Sequence, residues 1–491
     1  MNLCTIGHSF CYETEKLCRI FLPFEKINII DFVEINDLTA VTRLEKREDK
    51  TLCTAELYMQ GKSEIKRVQL SKDADVKLCE LTIAQCLFAC FVTLTGYVPD
   101  WGLLTGVRPA KLYASLARRD GIEVTEEYFK NQLLVKENKI SLCRETYETE
   151  HSIIAKSKDD WFSLYISIPF CPTRCSYCSF VSHSIDKAGK LVPDYVALLC
   201  KEIEQTAVKA KLCGLRLKTV YMGGGTPTSI TAPQIDEILC AVERNFDLSG
   251  VLEFTVEAGR PDTIDADKLK VLKKHSVTRI SINPQTMNDS VLERIGRRHT
   301  AQQTRQAFAL AREAGFDNIN MDIIAGLPGD TPESFKNTVD ELIKLSPESI
   351  TVHSLAMKRA STLSVNGASH TADEGENASQ MVEYAREALT KAGVLPYYMY
   401  RQSKTVGNLE NVGYAVRGAE CLYNVYIMDE THTILACGAS AVTKLKDPVE
   451  GNISRIFNFK YPYEYISRFE TIINRKEGIN EFYEKYPFTD K

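Results

Sequence analysis

The stretch SLYISIPFCPTRCSYCSF (163–180) decides how this chain is read. Its first part, SLYISI (163–168), is a short apolar run of strand type. Directly after it come Cys171, Cys175 and Cys178, spaced C-x3-C-x2-C. Three thiolates on one short loop can take three corners of an iron–sulfur cubane, whereas a ferredoxin-type cluster takes four protein cysteines. The next cysteine, Cys200, lies far along the following helical segment, so one iron would stay open to a ligand. Zinc is the competing chemistry. A structural zinc site wants four ligands, and His183 is the residue that could complete a Cys3His set. A redox dithiol at Cys175 and Cys178 would leave Cys171 unused.

Outward from this loop the same pattern repeats. Strand-like runs occur at KTVYMG (218–223), EFTVEA (253–258), TRISIN (278–283), NINMDII (318–324) and SITVHSL (349–355). Amphipathic stretches such as PDYVALLCKEIEQTAVKAK (193–211) and DADKLKVLKKH (265–275) lie between them. Strands alternating with helices indicate βαβ units and a parallel sheet. Counting 163–168, that makes six units in roughly 190 residues, which suits a partial (β/α)6 barrel rather than an eight-fold one. The expected class is α/β, with an α+β part before the barrel and a small α+β extension after it.

Active residues in such folds gather just past the carboxyl ends of the strands. The second strand runs into YMGGGTPT (221–228), where Gly223, Gly224 and Gly225 let backbone approach a ligand without a Cβ in the way. The third ends at Glu257, the fourth leads to Gln285, and the fifth carries Asp322. These polar groups would face a ligand with hydroxyls and charge. In IGRRHT (295–300), Arg297 could pair with a carboxylate, Arg298 reads as a solvated residue, and His299 as either a helix cap or a site residue.

The flanks carry less chemistry. Residues 1–155 read as a separate unit with β-rich pieces at NIIDFVEIN (28–36) and TLCTAELYMQ (51–60). An uncharged stretch, 81–98, is short for a bilayer span and is expected to be a core helix. In GVRPAKL (106–112), Arg108 and Lys111 could hold an acidic ligand, but a Gly-Pro turn entering a helix explains the segment as well. The barrel is expected over 156–395 and a substrate-covering extension over 396–491. Lys+Arg 60 against Asp+Glu 65 leaves a charge of −5, which argues against a general cationic surface for nucleic acid. With 16 cysteines in 491 residues and no export-type start in MNLCTIGHSFCYETEK, a reducing cytoplasm is expected, with no membrane partner.

LYISIPFCPTRCSYCSF, YMGGGTPT, RISINPQTMN, IGRRH and NMDIIAGLPG together resemble the radical S-adenosylmethionine superfamily, and within it the oxygen-independent coproporphyrinogen III oxidase family. GVRPAKL, YRQ (400–402) and GNLENVGY (407–414) are similar to its HemZ branch, the coproporphyrinogen dehydrogenases. The resemblance implies a 4Fe–4S cluster on Cys171, Cys175 and Cys178, with S-adenosylmethionine on the open iron. By the same resemblance, Tyr165 stands beside cluster and ligand, Tyr177 packs on adenine, and Phe180 belongs to the cofactor site. Gly224, Gly225 and Thr226 would face the methionine amino group. Glu257, Gln285, Arg297 and Asp322 would hold the ribose, carboxylate and sulfonium parts. The implied reaction is oxidative decarboxylation of coproporphyrinogen III propionates to vinyl groups, begun by a 5′-deoxyadenosyl radical. The implied partners are the tetrapyrrole and an electron donor such as flavodoxin or ferredoxin, acting on a monomer.

Three departures from the family pattern matter. The oxidase branch carries a fourth cysteine where this chain has Phe180, and an aromatic there is similar to the related heme chaperones. The small-Val-Gln segment reads Asn283, Pro284, Gln285, and the tail past Lys444 is short. Alternatives are therefore a heme chaperone, with His353, Cys421 or His432 as candidate heme ligands, or a radical enzyme acting on another tetrapyrrole such as heme.

Overall fold

The computed structural model describes residues 1–178, 182–356 and 372–488. They form two compact units, one of 1–144 with 372–376 and 401–409, the other of 145–356, 377–400 and 410–488.

In the first unit, β1 (Asn2–Ile6) lies between β2 (Asn28–Ile30) and β3 (Leu38–Lys46), parallel to both. β4 (Lys50–Met59) and β5 (Lys62–Ser71) extend the sheet as an antiparallel meander. The uncharged stretch belongs to helix Val76–Thr95, capped by the Asp75 carboxylate at the Leu78 N–H (2.7 Å) and ended by Gly96 at φ 70°. Among the described residues it is the one helix long and apolar enough to cross a membrane. Here its Cys86, Leu87, Cys90 and Phe91 pack with Leu3, Ala40, Ala55 and Leu57 in a core. Pro109 opens helix Pro109–Asp120, so GVRPAKL is a turn into a helix, whose first position tolerates the missing proline N–H.

The second unit is built on one large sheet. Its strands are β6 (Trp161–Ile168), β9 (Arg216–Gly224), β10 (Glu253–Glu257), β11 (Arg279–Ser281), β12 (Ile319–Ala325), β13 (Ser349–Ser354), β14 (Leu395–Arg401), β15 (Glu410–Ala415), β16 (Thr433–Cys437), β17 (Val442–Lys446) and β18 (Ile453–Phe457). A two-residue pair, β7 (Phe170–Cys171) and β8 (His183–Ser184), stands apart. The six expected strands lie side by side in chain order and are all parallel, as an open (β/α)6 barrel requires. Two features go beyond the expectation. β16 adds a seventh parallel strand beside β6, and further strands finish both edges, the antiparallel β15 and then β14 beyond β13, the antiparallel β17 and β18 beyond β16. All five strands that follow residue 394 thus join the barrel sheet.

The tail is pinned by a buried ion pair. Glu202, on the helix after the cysteine loop, and Lys476 are 0% and 2% exposed and lie 3.0 Å apart. Tyr465 Oη, Asn458 Nδ2 and the Gly438 N–H also donate to that carboxylate, at 2.6–2.7 Å. A buried charge needs such a full set of partners.

Candidate active site

The cysteine loop leaves the carboxyl end of β6 and is held by the ends of its neighbours. Pairing of β7 with β8 closes it at Phe170 and His183. The N–H groups of Gly225 and Thr226, at the end of β9, donate to the carbonyls of Ile168 and Phe170 (both 2.8 Å). The Ser176 N–H donates to Ile295 O (3.0 Å), and Thr173 Oγ1 to Gly296 O (3.2 Å). Arg260, past β10, donates to Thr173 Oγ1 (2.7 Å) while paired with Asp262 (2.9 Å). Cys175 is buried, and Cys171 and Cys178 are half-buried. Thr226 Oγ1 donates to Cys171 Sγ at 3.5 Å.

The glycines also make room for the chain itself. A Cβ at Gly225 would come within 2.6 Å of Phe170 O and 2.9 Å of Ile168 O, and one at Gly224 (φ +107°) within 2.9 Å of Ser167 Oγ. What glycine admits at these positions is the chain's own β6 end, so the pair fixes the root of the cysteine loop.

A second group fills the barrel mouth. Tyr165 and Tyr221 are cross-strand partners on β6 and β9, with rings 6.3 Å apart, and Tyr423 stacks on Tyr221 at 4.5 Å. Tyr221 Oη donates to Glu257 Oε1 at 2.5 Å. Burial pushes the Glu257 carboxyl up to about 7, and the neighbouring Asp322 charge adds to the rise, against the pull of the Tyr221 hydroxyl. Burial also pushes the Tyr165 hydroxyl above its usual range. Asp322 goes the other way. Burial opposes its ionisation, but His353 (Nε2 to Oδ2 3.8 Å) and Asn320 Nδ2 (2.7 Å to Oδ1) hold it below the usual carboxylate range.

Gln285 sits beside this group at φ +69°, bridging to β12 through its own N–H to Asp322 O (2.9 Å) and the Ile324 N–H to its carbonyl (3.0 Å). Its Oε1 is buried and has no hydrogen-bond partner. Arg297 Nη2 donates to Tyr177 Oη (3.0 Å), while its Nε is buried and unpartnered. Thr300, not His299, caps helix Ala301–Glu313. The His299 ring is buried, 4.0 Å from Asp262, and burial next to Arg297 pushes it down to about 4, so it is neutral. Arg298 is solvated, as expected. Phe180 lies outside the described residues.

The fold thus brings the cysteine loop together with Thr226 and Arg297, Arg297 meeting the loop's own Tyr177, and brings Tyr165 together with Glu257, Asp322 and Gln285. Sequence reasoning passed over Tyr221, Tyr423 and Arg260, and took His353 only as a heme ligand. Parallel register alone would have found Tyr221, because it faces Tyr165 across the β6–β9 ladder.

A family model described as the Radical SAM superfamily matches residues 165–342. The chain is 40% identical over 397 residues to the oxygen-independent coproporphyrinogen-III oxidase-like protein HemZ of Bacillus subtilis, across 80% of this chain and 79% of that one. This chain is a radical SAM protein of the oxygen-independent coproporphyrinogen III oxidase-like family. The heme chaperone HemW of Bacillus subtilis is 32% identical to it over 311 residues, 61% of this chain and 77% of that one. Coproporphyrinogen III oxidase from Escherichia coli, a radical SAM enzyme, shares the fold: TM-score 0.50 and 22% identity, over 65% of this chain and 71% of that one.

A radical SAM protein works with a 4Fe–4S cluster and S-adenosylmethionine, and the residues present fit both. One loop offers three thiols to a cluster that leaves an iron open. The buried, unmet Gln285 Oε1 and Arg297 Nε are an acceptor and a donor of the kind that a zwitterionic ligand with ribose hydroxyls would satisfy.

Proposed function

We propose that this radical SAM protein converts propionate side chains of coproporphyrinogen III to vinyl groups without oxygen, in tetrapyrrole synthesis in the cytoplasm. The observation that carries this reading is where the heme-ligand candidates point. His432 is buried with Nδ1 2.9 Å from Ser163 Oγ and Nε2 3.1 Å from Ser157 Oγ, beneath the Tyr426 ring. Cys421 is buried and donates to Glu253 (3.3 Å). His353 faces Asp322. Side chains so engaged are poor axial ligands, whereas the barrel mouth keeps a complete polar set for the radical cofactors.

In this reading Cys171, Cys175 and Cys178 would hold the cluster, with S-adenosylmethionine bound beside it. Bound together, these cofactors supply the one-electron chemistry that takes a hydrogen atom from an unactivated carbon. Arg297 pairs with the methionine carboxylate and, through its bond to Tyr177, sets that ring for adenine. Asp322, kept ionised, and Gln285 face hydroxyl and ammonium groups, and Thr226 steadies the Cys171 thiolate. Tyr221 orients Glu257, whose carboxyl near neutrality can accept or donate at the ribose. The apolar faces of Tyr165, Tyr221 and Tyr423 exclude water from the radical's path. Each propionate loses a hydrogen atom, an electron and carbon dioxide, so an acceptor for that electron and a flavodoxin- or ferredoxin-class donor for the cluster are required. The segment from 396 onward covers the substrate, and the unit of residues 1–155 acts as an accessory to a monomer.

Anaerobic incubation with coproporphyrinogen III, S-adenosylmethionine and a reductant tests this directly: vinyl product is expected. A second reading, heme delivery, is favoured by the similarity to HemW. Tight stoichiometric heme binding without turnover in the same experiment would replace the first reading by the second.

A further inference from the structure

A second metal-ligating constellation lies away from the cysteine loop, on the barrel's helices. Asp236 and Cys240 sit four apart on helix Ala232–Asn245, which places both side chains on one face. His275 follows the end of helix Ala266–Lys274 and points its Nε2 at that face. The donor atoms converge: Nε2 is 2.8 Å from Asp236 Oδ1 and 3.9 Å from Cys240 Sγ, and Cys240 Sγ is 3.9 Å from Asp236 Oδ2.

Bonds of about 2.0–2.3 Å to a tetrahedral zinc ion set its ligand atoms roughly 3.3–3.7 Å apart. The Cys240–His275 separation would close by a few tenths of an ångström, the His275–Asp236 Oδ1 contact would open by about half an ångström as an ion replaces the shared proton, and one atom from each of the three residues lies within 4.8 Å of the others. The His275 ring is only 2% exposed, while Asp236 and Cys240 are half-buried, so one wall is fixed and the other is open to an entering ion. Glu243 Oε2 stands 2.9 Å from the opposite ring nitrogen, Nδ1, which makes no aligned hydrogen bond. A carboxylate behind a ligating imidazole is the usual second partner in zinc sites. One thiol, one imidazole and one carboxylate suit a borderline-soft divalent ion and not magnesium or calcium.

We propose that Asp236, Cys240 and His275 form a binding site for a divalent zinc-class ion, with water in the fourth position and Glu243 as the outer partner of His275. The site staples two consecutive barrel helices and is separate from the iron–sulfur loop. Lys274 Nζ, 2.6 Å from Asp236 Oδ1, is the cation that the ion displaces.

The test uses full-length protein with its cluster reconstituted, so that iron fills the cysteine loop. Zinc and iron are measured together after dialysis against micromolar zinc. About one zinc per chain beside the cluster iron is expected. Cys240→Ser and Asp236→Asn should each lose the zinc and keep the iron, which also reports that each variant is folded. Cobalt(II) should give a thiolate charge-transfer band that Cys240→Ser abolishes. Glu243→Gln should weaken zinc binding about 10–100-fold, and Lys274→Met should tighten it. Zinc that persists in both Cys240→Ser and Asp236→Asn, or wild-type protein with full iron and no zinc, overturns the proposal. Asp236, His275 and Glu243 are then a polar clamp between helices.

Discussion

Tyr221 gives its hydroxyl to Glu257 at 2.5 Å, from a ring that packs against those of Tyr165 and Tyr423, which also meet each other at 6.2 Å. A carboxyl at a barrel mouth is thereby held in one orientation by a side chain from the adjacent strand. Tyr221→Phe removes the donor and leaves the ring in the stack. The Glu257 carboxyl should then rise above its present value of about 7, and S-adenosylmethionine should bind with about tenfold lower affinity at neutral pH. Titration of binding against pH measures both effects.

Glu257 also links stability to pH. Its folded-state value of about 7 lies above the ordinary 4.5, so the folded protein holds a proton that the unfolded chain has released. The preference for the fold is full below the unfolded value and is lost as pH rises through about 7, about 3 kcal/mol in all. Glu257→Gln should therefore stabilise the cofactor-free protein relative to wild type at pH 8 but not at pH 4. Urea denaturation at the two pH values checks the sign.

Gln285 holds a left-handed backbone at φ +69° with an unmet Oε1. Gln285→Gly keeps that backbone at no steric cost and removes only the amide side chain. The variant should bind iron normally, match wild-type stability or exceed it, and lose about 1–3 kcal/mol of S-adenosylmethionine affinity. Equilibrium dialysis on reconstituted protein gives the affinity, and unaltered affinity would remove Gln285 from the site.

Lys476 and Glu202 tie the tail to the barrel. Lys476→Met leaves a carboxylate buried without its cation, at a cost of about 3–5 kcal/mol, while the paired change with Glu202→Gln should recover part of it. Denaturation midpoints of the two variants decide this.

Much of the second unit is legible in the sequence because the six parallel strands are short apolar runs at βαβ spacing. β16 escapes that pattern. TILAC (433–437) pairs with Phe162–Ile166, and no local period announces a partner some 270 residues away. β11 is shorter than expected because Pro284 cannot donate to a ladder, and the chain turns at Gln285 instead. The cysteine spacing and the polar residues at strand ends are likewise plain in the sequence, since each follows an apolar run. The Tyr221–Glu257 bond, the loop anchor Arg260 and the engaged ring of His432 are not, for they arise only from register between strands and from loops closing over one another.

The central claim is that the cysteine loop and the barrel mouth drive decarboxylation of a tetrapyrrole. The direct measurement is anaerobic turnover of coproporphyrinogen III by the reduced, reconstituted protein, with 5′-deoxyadenosine and vinyl groups quantified together. The account predicts that both form in equal amounts and that both vanish in Cys171→Ala, Cys175→Ala and Cys178→Ala. Iron retained in those variants, or heme bound one-to-one with no 5′-deoxyadenosine formed by wild type, would contradict it.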